Sequence, residues 1–230
     1  PIRDIQFINF LILDQPSEAI NALKEGANPN SFIDEYLPAI YIAANKDYEK
    51  VVECLIQLGA NLNAKGSSKR EKIEEASAII TATARGNLEI TQLLISNGAN
   101  IETRTIHGNT PLMNASFQGH ARIVNYLIEN KALLESKDDS GYTPLMYAAN
   151  AGNQECVKIL IENSANIEAK DNDNSTPIMF AAQHGYTEVV KLLLSRGADP
   201  LYKGNYNMNA LDLANQNGHS ETIEILAKFR

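Results

Sequence analysis

Two kinds of apolar segment alternate along this chain. The first is short and rich in small residues. TPLMYAANAGN at 143–153 has close copies in TPLMNASFQGH (110–120), TPIMFAAQHGY (176–186) and NALDLANQNGH (209–219), each 33 residues from the next. SAIITATARGN (77–87) and PAIYIAANKDY (38–48) fit the same frame more loosely. The second kind sets aliphatic residues at i, i+3 and i+4, as in Val157, Leu160 and Ile161. Val52, Leu55 and Ile56 repeat it, as do Val124, Leu127 and Ile128, and Val190, Leu193 and Leu194; Thr91 takes the first place beside Leu94 and Ile95. This spacing puts one apolar stripe on a helix.

A closing turn keeps step with both. GANPN, GANLN, GANIE, KALLE, SANIE and GADPL begin at residues 26, 59, 98, 131, 164 and 197, at intervals of 33, 39, 33, 33 and 33. The longer interval marks an insertion between the second and third units, within AKGSSKREKIEEA at 64–76. Each unit reads as two helices. Thr143 can cap the first by accepting an orphan backbone N–H, and Pro144 suits the first helical position, where no donor is needed. Gly152 can leave that helix with positive φ. One helix pair cannot bury its own stripe, so the units must stack.

The pattern predicts a single domain over 1–230: an N-terminal cap at 1–35, units at 36–68, 69–104 (with the insertion), 105–137, 138–170 and 171–203, and a C-terminal cap at 204–230. The end units are expected to turn a more polar side outward. FINFLIL, Phe7 to Leu13, reads as a buried helix, since it carries Asn9 and no cleavage site follows it.

T-P-L opening the inner helix, A-A midway, G-H or G-N before the outer helix and G-A-[ND] closing it resemble the ankyrin repeat, over essentially the whole chain. The resemblance implies an all-α ankyrin-repeat solenoid of stacked helix-turn-helix units with projecting β-turn or hairpin loops. It also implies a binding face built from loop tips and inner helices. Two departures stand out. Met113, Met146 and Met179 replace the usual histidine after T-P-L, so its hydrogen bond to the threonine is expected to be lost and a thioether column to fill the space. Lys131 and Ser164 replace the helix-ending glycine, each at a cost of about 1 kcal/mol if the turn needs positive φ.

Composition narrows the function. A net charge of −8 argues against a nucleic-acid partner, and it reads either as a preference for a protein partner with a basic segment or simply as what keeps the chain in solution. No apolar run of about 18 residues exists, so no membrane insertion is expected. Cys54 and Cys156 fall on outer helices of different units, too far apart for a disulfide, and suit a reducing compartment such as the cytoplasm. His120 and His219 share one repeat position and form no zinc pair. DNDNSTP at 171–177 lacks a calcium loop's glycine and glutamate, having Thr176 and Ala182 instead. No catalytic constellation, metal site or cofactor is expected, and the chain reads as a monomeric, non-catalytic binding module.

By the resemblance, the partner-binding positions are Ile106, His107 and Asn109 on one tip, Asp139, Ser140 and Tyr142 on the next, then Asp173, Ser175 and Tyr206; the helix ends add Phe117, Gln118, Asn150, Gln183 and His184. Phe117 and Tyr142 are aromatic where the fold tolerates any residue, which reads either as interface anchors or as cover for neighbouring repeats. The insertion, with Lys65, Lys69, Arg70 and Lys72, is either a second contact or a solvated loop. Two alternatives remain: a targeting or inhibitory segment of a larger enzyme or of a secreted bacterial effector acting in host cytoplasm, and a substrate of an asparaginyl hydroxylase at Asn63, in LIQLGANLNA.

Overall fold

A computed structural model describes residues 2–33, 37–68 and 73–229. They form two compact units, residues 1–106 and 107–230. In the first, α1 (Ile2–Ile12) and α2 (Pro16–Lys24) are followed by a short strand pair, β1 (Phe32–Ile33) with β2 (Leu37–Pro38). Next come α3 (Ala39–Asn45), α4 (Glu49–Gln57), β3 (Lys65–Ser68), β4 (Ile73–Ser77), α5 (Ala78–Arg85) and α6 (Leu88–Ser96). The second unit contains four helix pairs: α7 (Pro111–Gln118) with α8 (Ala121–Glu129), α9 (Pro144–Asn150) with α10 (Gln154–Glu162), α11 (Pro177–Gln183) with α12 (Thr187–Ser195), and α13 (Ala210–Asn217) with α14 (Ser220–Leu226). There the inner helices α7, α9, α11 and α13 stack in sequence, and the outer helices do the same.

The apolar stripes are the core. Val157 and Leu160 are fully buried, as are Val52 and Leu55, Val124 and Leu127, and Val190 and Leu193. The third stripe positions, Ile56, Ile95, Ile128, Ile161 and Leu194, are half-buried at the rim. Each buried leucine or valine contributes roughly 1.5–3 kcal/mol. The inner helices meet through alanines (Ala115, Ala148, Ala149, Ala181, Ala182, Ala214) with no exposed surface, and these small side chains allow close stacking.

The closing turns explain the Gly-Ala-Asn motif. Gly26, Gly59, Gly98 and Gly197 have positive φ, and Lys131 and Ser164 adopt the same conformation at φ 71° and 72°. The alanine is buried in every turn. Asn28, Asn61, Asn100, Asn166 and Asp199 each accept the N–H two residues on. The last residue of one turn then reaches the next. Asn30 accepts the Asn61 N–H at 2.7 Å and Asn63 that of Asn100 at 2.8 Å; Glu135 accepts that of Asn166 and Glu168 that of Asp199, both at 2.8 Å. Any side chain with an oxygen at this reach serves, so Asn and Glu interchange there.

The structure corrects two expectations. The methionines do not merely fill space. Met113 Sδ accepts the Thr110 N–H at 3.3 Å and Met146 Sδ that of Thr143 at 3.4 Å, while the threonine hydroxyls accept the methionine N–H groups at 3.4 Å. The reciprocal cap survives with sulfur as a weak acceptor. It is missing at Thr176, whose Oγ1 is buried without a partner. The Phe7–Leu13 segment is also not buried throughout: Phe7 and Leu11 are, but Ile12 and Leu13 are exposed, with Ile2 and Ile5. α1 is an edge helix that packs on α2 and α3 from one side, and its outer side sets Ile2, Ile5 and Ile12 among the exposed Arg3, Gln6 and Asn9.

The insertion forms an antiparallel hairpin, with Lys65 opposite Ser77, Gly66 opposite Ala76 and Ser68 opposite Ile73. Lys69, Arg70 and Lys72 lie outside the described residues.

Candidate partner-binding face

The loop tips of the second unit are tied into a stair. The Asp139 N–H donates to the His107 carbonyl at 3.1 Å, the Asn172 N–H to that of Ser140 at 3.1 Å, and the Asn205 N–H to that of Asp173 at 3.0 Å. Asn172 Nδ2 adds a bond to the Asp139 carbonyl at 2.9 Å. The approach is close enough that a Cβ on Gly141 would lie 2.8 Å from the Asn172 backbone nitrogen. These bonds fix the tips relative to one another.

Within each tip a carboxylate organises the turn. Asp138 Oδ1 accepts the N–H groups of Ser140 (2.9 Å) and Tyr142 (2.7 Å), and Asp171 Oδ1 those of Asp173 (2.9 Å) and Ser175 (2.7 Å). Asp138 Oδ2 accepts the Tyr147 hydroxyl at 2.7 Å, and that hydroxyl accepts Asn109 Nδ2 at 3.0 Å. Burial, followed by the bond to Asp138, raises the Tyr147 pKa well above the usual phenol value.

Four rings run from helix end to helix end. Phe117 meets Tyr147 edge-on at 6.0 Å, Tyr147 meets Tyr142 at 5.6 Å, and Tyr142 tilts onto Phe180 at 4.8 Å. Tyr142 is half-buried in a small cluster with Met146, Ala169 and Phe180, so it covers the neighbouring repeat, and burial raises its pKa. Phe117 remains 42% exposed.

Beyond this row lies a hollow of about 390 Å³, lined among others by Tyr142, Asp173, Ser175, Gln183 and Tyr206, with Phe180, Met208 and Leu213. Its origin is legible in the repeat. Ser175 occupies the position of Tyr142 one unit on, so no ring crosses onto Leu213 as Tyr142 crosses onto Phe180.

The structure thus brings Tyr142, Asp173, Ser175, Gln183 and Tyr206 to one hollow and joins Asn109 and Phe117 to the ring row. Asn150 and His184 form a separate pair, 3.0 Å between Oδ1 and Nε2, with His184 tilted on Tyr186. Asp139, Ser140 and His107 contribute backbone groups to the stair. Gln118 is exposed at the end of α7. Ile106 is exposed and belongs to the first unit, as does Asn63, whose Oδ1 holds the Asn100 N–H. Sequence reasoning passes over Tyr147 and Phe180, which lie inside the inner helices that open T-P-L-M and T-P-I-M. A comparison of one slot across repeats (Asn114, Tyr147, Phe180, Leu213) isolates them.

Among the described residues no group of three or more His, Cys, Asp or Glu is placed to hold a metal, and no helix is long and apolar enough to cross a membrane. Among curated proteins, the chain is 48% identical over 46 residues to the apicidin F cluster transcription factor apf2 of Gibberella fujikuroi, covering 20% of this chain and 12% of that protein. It is 37% identical over 78 residues to the ankyrin repeat and KH domain-containing protein mask-1 of Caenorhabditis elegans, covering 34% of this chain and 3% of that one. The chain therefore spans a small fraction of the length of both relatives. A family profile described as ankyrin repeats (three copies) matches residues 10–105, 40–138, 130–203 and 169–229. With those matches running over nearly its whole length, on a stack of helix pairs closed by Gly-Ala-Asn turns, this chain belongs to the ankyrin-repeat family.

Proposed function

We propose that the chain is a non-catalytic module that binds a partner protein through the loop tips and inner-helix ends of its second unit. Ankyrin repeats are generally protein–protein interaction modules. The observation that carries the reading to this face is the row of rings from Phe117 to Phe180, which opens into the hollow under Tyr206 on tips already fixed by backbone bonds. Exposed aromatic side chains on an ordered frame are the usual anchors of an interface. Phe117 and Tyr206, at 42% and 75% exposed, fill that role, whereas Tyr142 is part of the frame. The net charge of −8 favours a partner with a basic segment.

The test is capture of partners from native cell extract by wild type and by the Phe117→Ala/His184→Ala/Tyr206→Ala variant, after circular dichroism confirms that both fold. The variant is expected to lose a specific partner. An unchanged set of partners refutes the reading.

A further inference from the structure

Asp138 and Asp171 are equivalent residues 33 positions apart, and so are Tyr147 and Phe180. In the first pair the carboxylate is complete: Oδ1 accepts two backbone N–H groups and Oδ2 accepts the Tyr147 phenol. In the second, Oδ1 again accepts two N–H groups, but Phe180 has no hydroxyl to give to Oδ2. Asp171 is only 8% exposed, lines the hollow and receives no further donor from the described residues. The charge of Lys137 acts on it, but the Lys137 ammonium donates to the Lys170 carbonyl at 2.7 Å. Burial raises the Asp171 pKa, against the bonds from the Ser175 and Asp173 N–H groups and the charge of Lys137, which lower it.

The hollow has further fitting features. Asp171 and Asp173 are its two charged lining residues, and no lysine or arginine lines it. Phe180 and Tyr206 supply aromatic surface, and Met179, Met208 and Leu213 an apolar wall. A ligand for such a site needs a slender apolar stem, a planar head and several donors at its end. A guanidinium offers five N–H donors, stacks on rings and pairs with carboxylates.

We infer that this hollow receives an arginine side chain of a partner protein, its guanidinium donating to Asp171 Oδ2 in the place that the Tyr147 hydroxyl takes on Asp138. The aliphatic stem lies against the Phe180 and Tyr206 rings, and Asp173 adds a second carboxylate at the mouth. This inference rests on the proposed binding face and names what that face selects.

The test is a titration of the full chain, followed by backbone amide NMR, with N-acetyl-arginine methylamide and, as controls, the lysine and norleucine methylamides. The arginine probe is expected to shift the amides of Asp173, Ser175 and Gly204 saturably, more tightly than either control. Asp171→Asn keeps an Oδ1 acceptor for the turn but turns Oδ2 into a donor, and weakens the probe by about tenfold or more. Phe180→Tyr supplies the missing hydroxyl from within and weakens it to the same extent while raising the protein's own stability. Absence of saturable shifts, equal binding of the lysine or norleucine probe, or arginine binding unaffected by both variants overturns the inference. The two readings fail separately: a partner lost with Phe117→Ala/His184→Ala but kept by Asp171→Asn and Phe180→Tyr leaves the face standing and removes the arginine.

Discussion

Replacing Tyr147 with phenylalanine removes one oxygen and leaves the ring that joins Phe117 to Tyr142. That oxygen donates to Asp138 Oδ2 at 2.7 Å and accepts Asn109 Nδ2 at 3.0 Å. A hydrogen bond to a charged acceptor is worth about 1.5–3 kcal/mol, and the neutral bond adds about 0.5–1.5. Asp138 is half-buried, so water replaces part of both, and the expected net loss is about 1.5–3 kcal/mol. Urea denaturation followed by circular dichroism measures it as a shift in midpoint at constant slope; the slope must be checked because stacked repeats can unfold piecemeal. The reciprocal change, Phe180→Tyr, gives Asp171 Oδ2 a donor and is expected to stabilise by about 1 kcal/mol. The loss also depends on pH. Burial and Asp138 raise the folded pKa of Tyr147 above its unfolded value, so its contribution is complete below about pH 10 and falls as pH rises through the folded pKa. The gap between wild type and Tyr147→Phe therefore narrows in strong alkali. A Tyr147→Phe protein within about 0.5 kcal/mol of wild type, or a Phe180→Tyr protein less stable than wild type, would refute the view that these carboxylates organise the tips.

Gly98 has φ 90° and open space where a methyl group would sit, so Gly98→Ala should cost only the backbone strain, about 1–2 kcal/mol by thermal unfolding, while Gly141→Ala also meets the Asn172 backbone and should cost more. Lys131→Gly and Ser164→Gly relieve a left-handed conformation and should each stabilise by about 0.5 kcal/mol, the relief being partly offset by a freer unfolded chain. The Cys156 thiol is fully buried and its pKa is pushed up to about 11 by burial first and Glu155 second; iodoacetamide at pH 8 should label half-buried Cys54 before Cys156, which should react only on unfolding.

The repeat frame is open to reading from the chain because each of its parts obeys a local rule. Threonine before proline starts a helix, i, i+3, i+4 aliphatics bury one side, and glycine ends it; Thr143, Val157 with Leu160, and Gly152 behave in that way. The tips are legible as positions and less so as roles. Asn109 and Tyr142 look variable in sequence, yet both support the ring row, because a side chain at a tip can reach a helix 38 positions away, as Asn109 reaches Tyr147. The sulfur caps escape the sequence because a thioether reads as filler, although Met146 Sδ stands where an N–H needs an acceptor. The hollow is hidden for a different reason. It is created by what Ser175 and Phe180 lack relative to Tyr142 and Tyr147, and an absence shows only when repeats are compared slot by slot.

Partner capture with a matched control on the opposite side tests the binding face most directly. Wild type, the Phe117→Ala/His184→Ala/Tyr206→Ala variant and a Glu155→Ala/Lys158→Ala variant on exposed positions of α10 would be compared by quantitative mass spectrometry of material captured from native extract. Loss of one protein from the first variant alone is the expected result. Retention by that variant, or loss from the α10 variant instead, would move the binding surface away from the tips and inner helices.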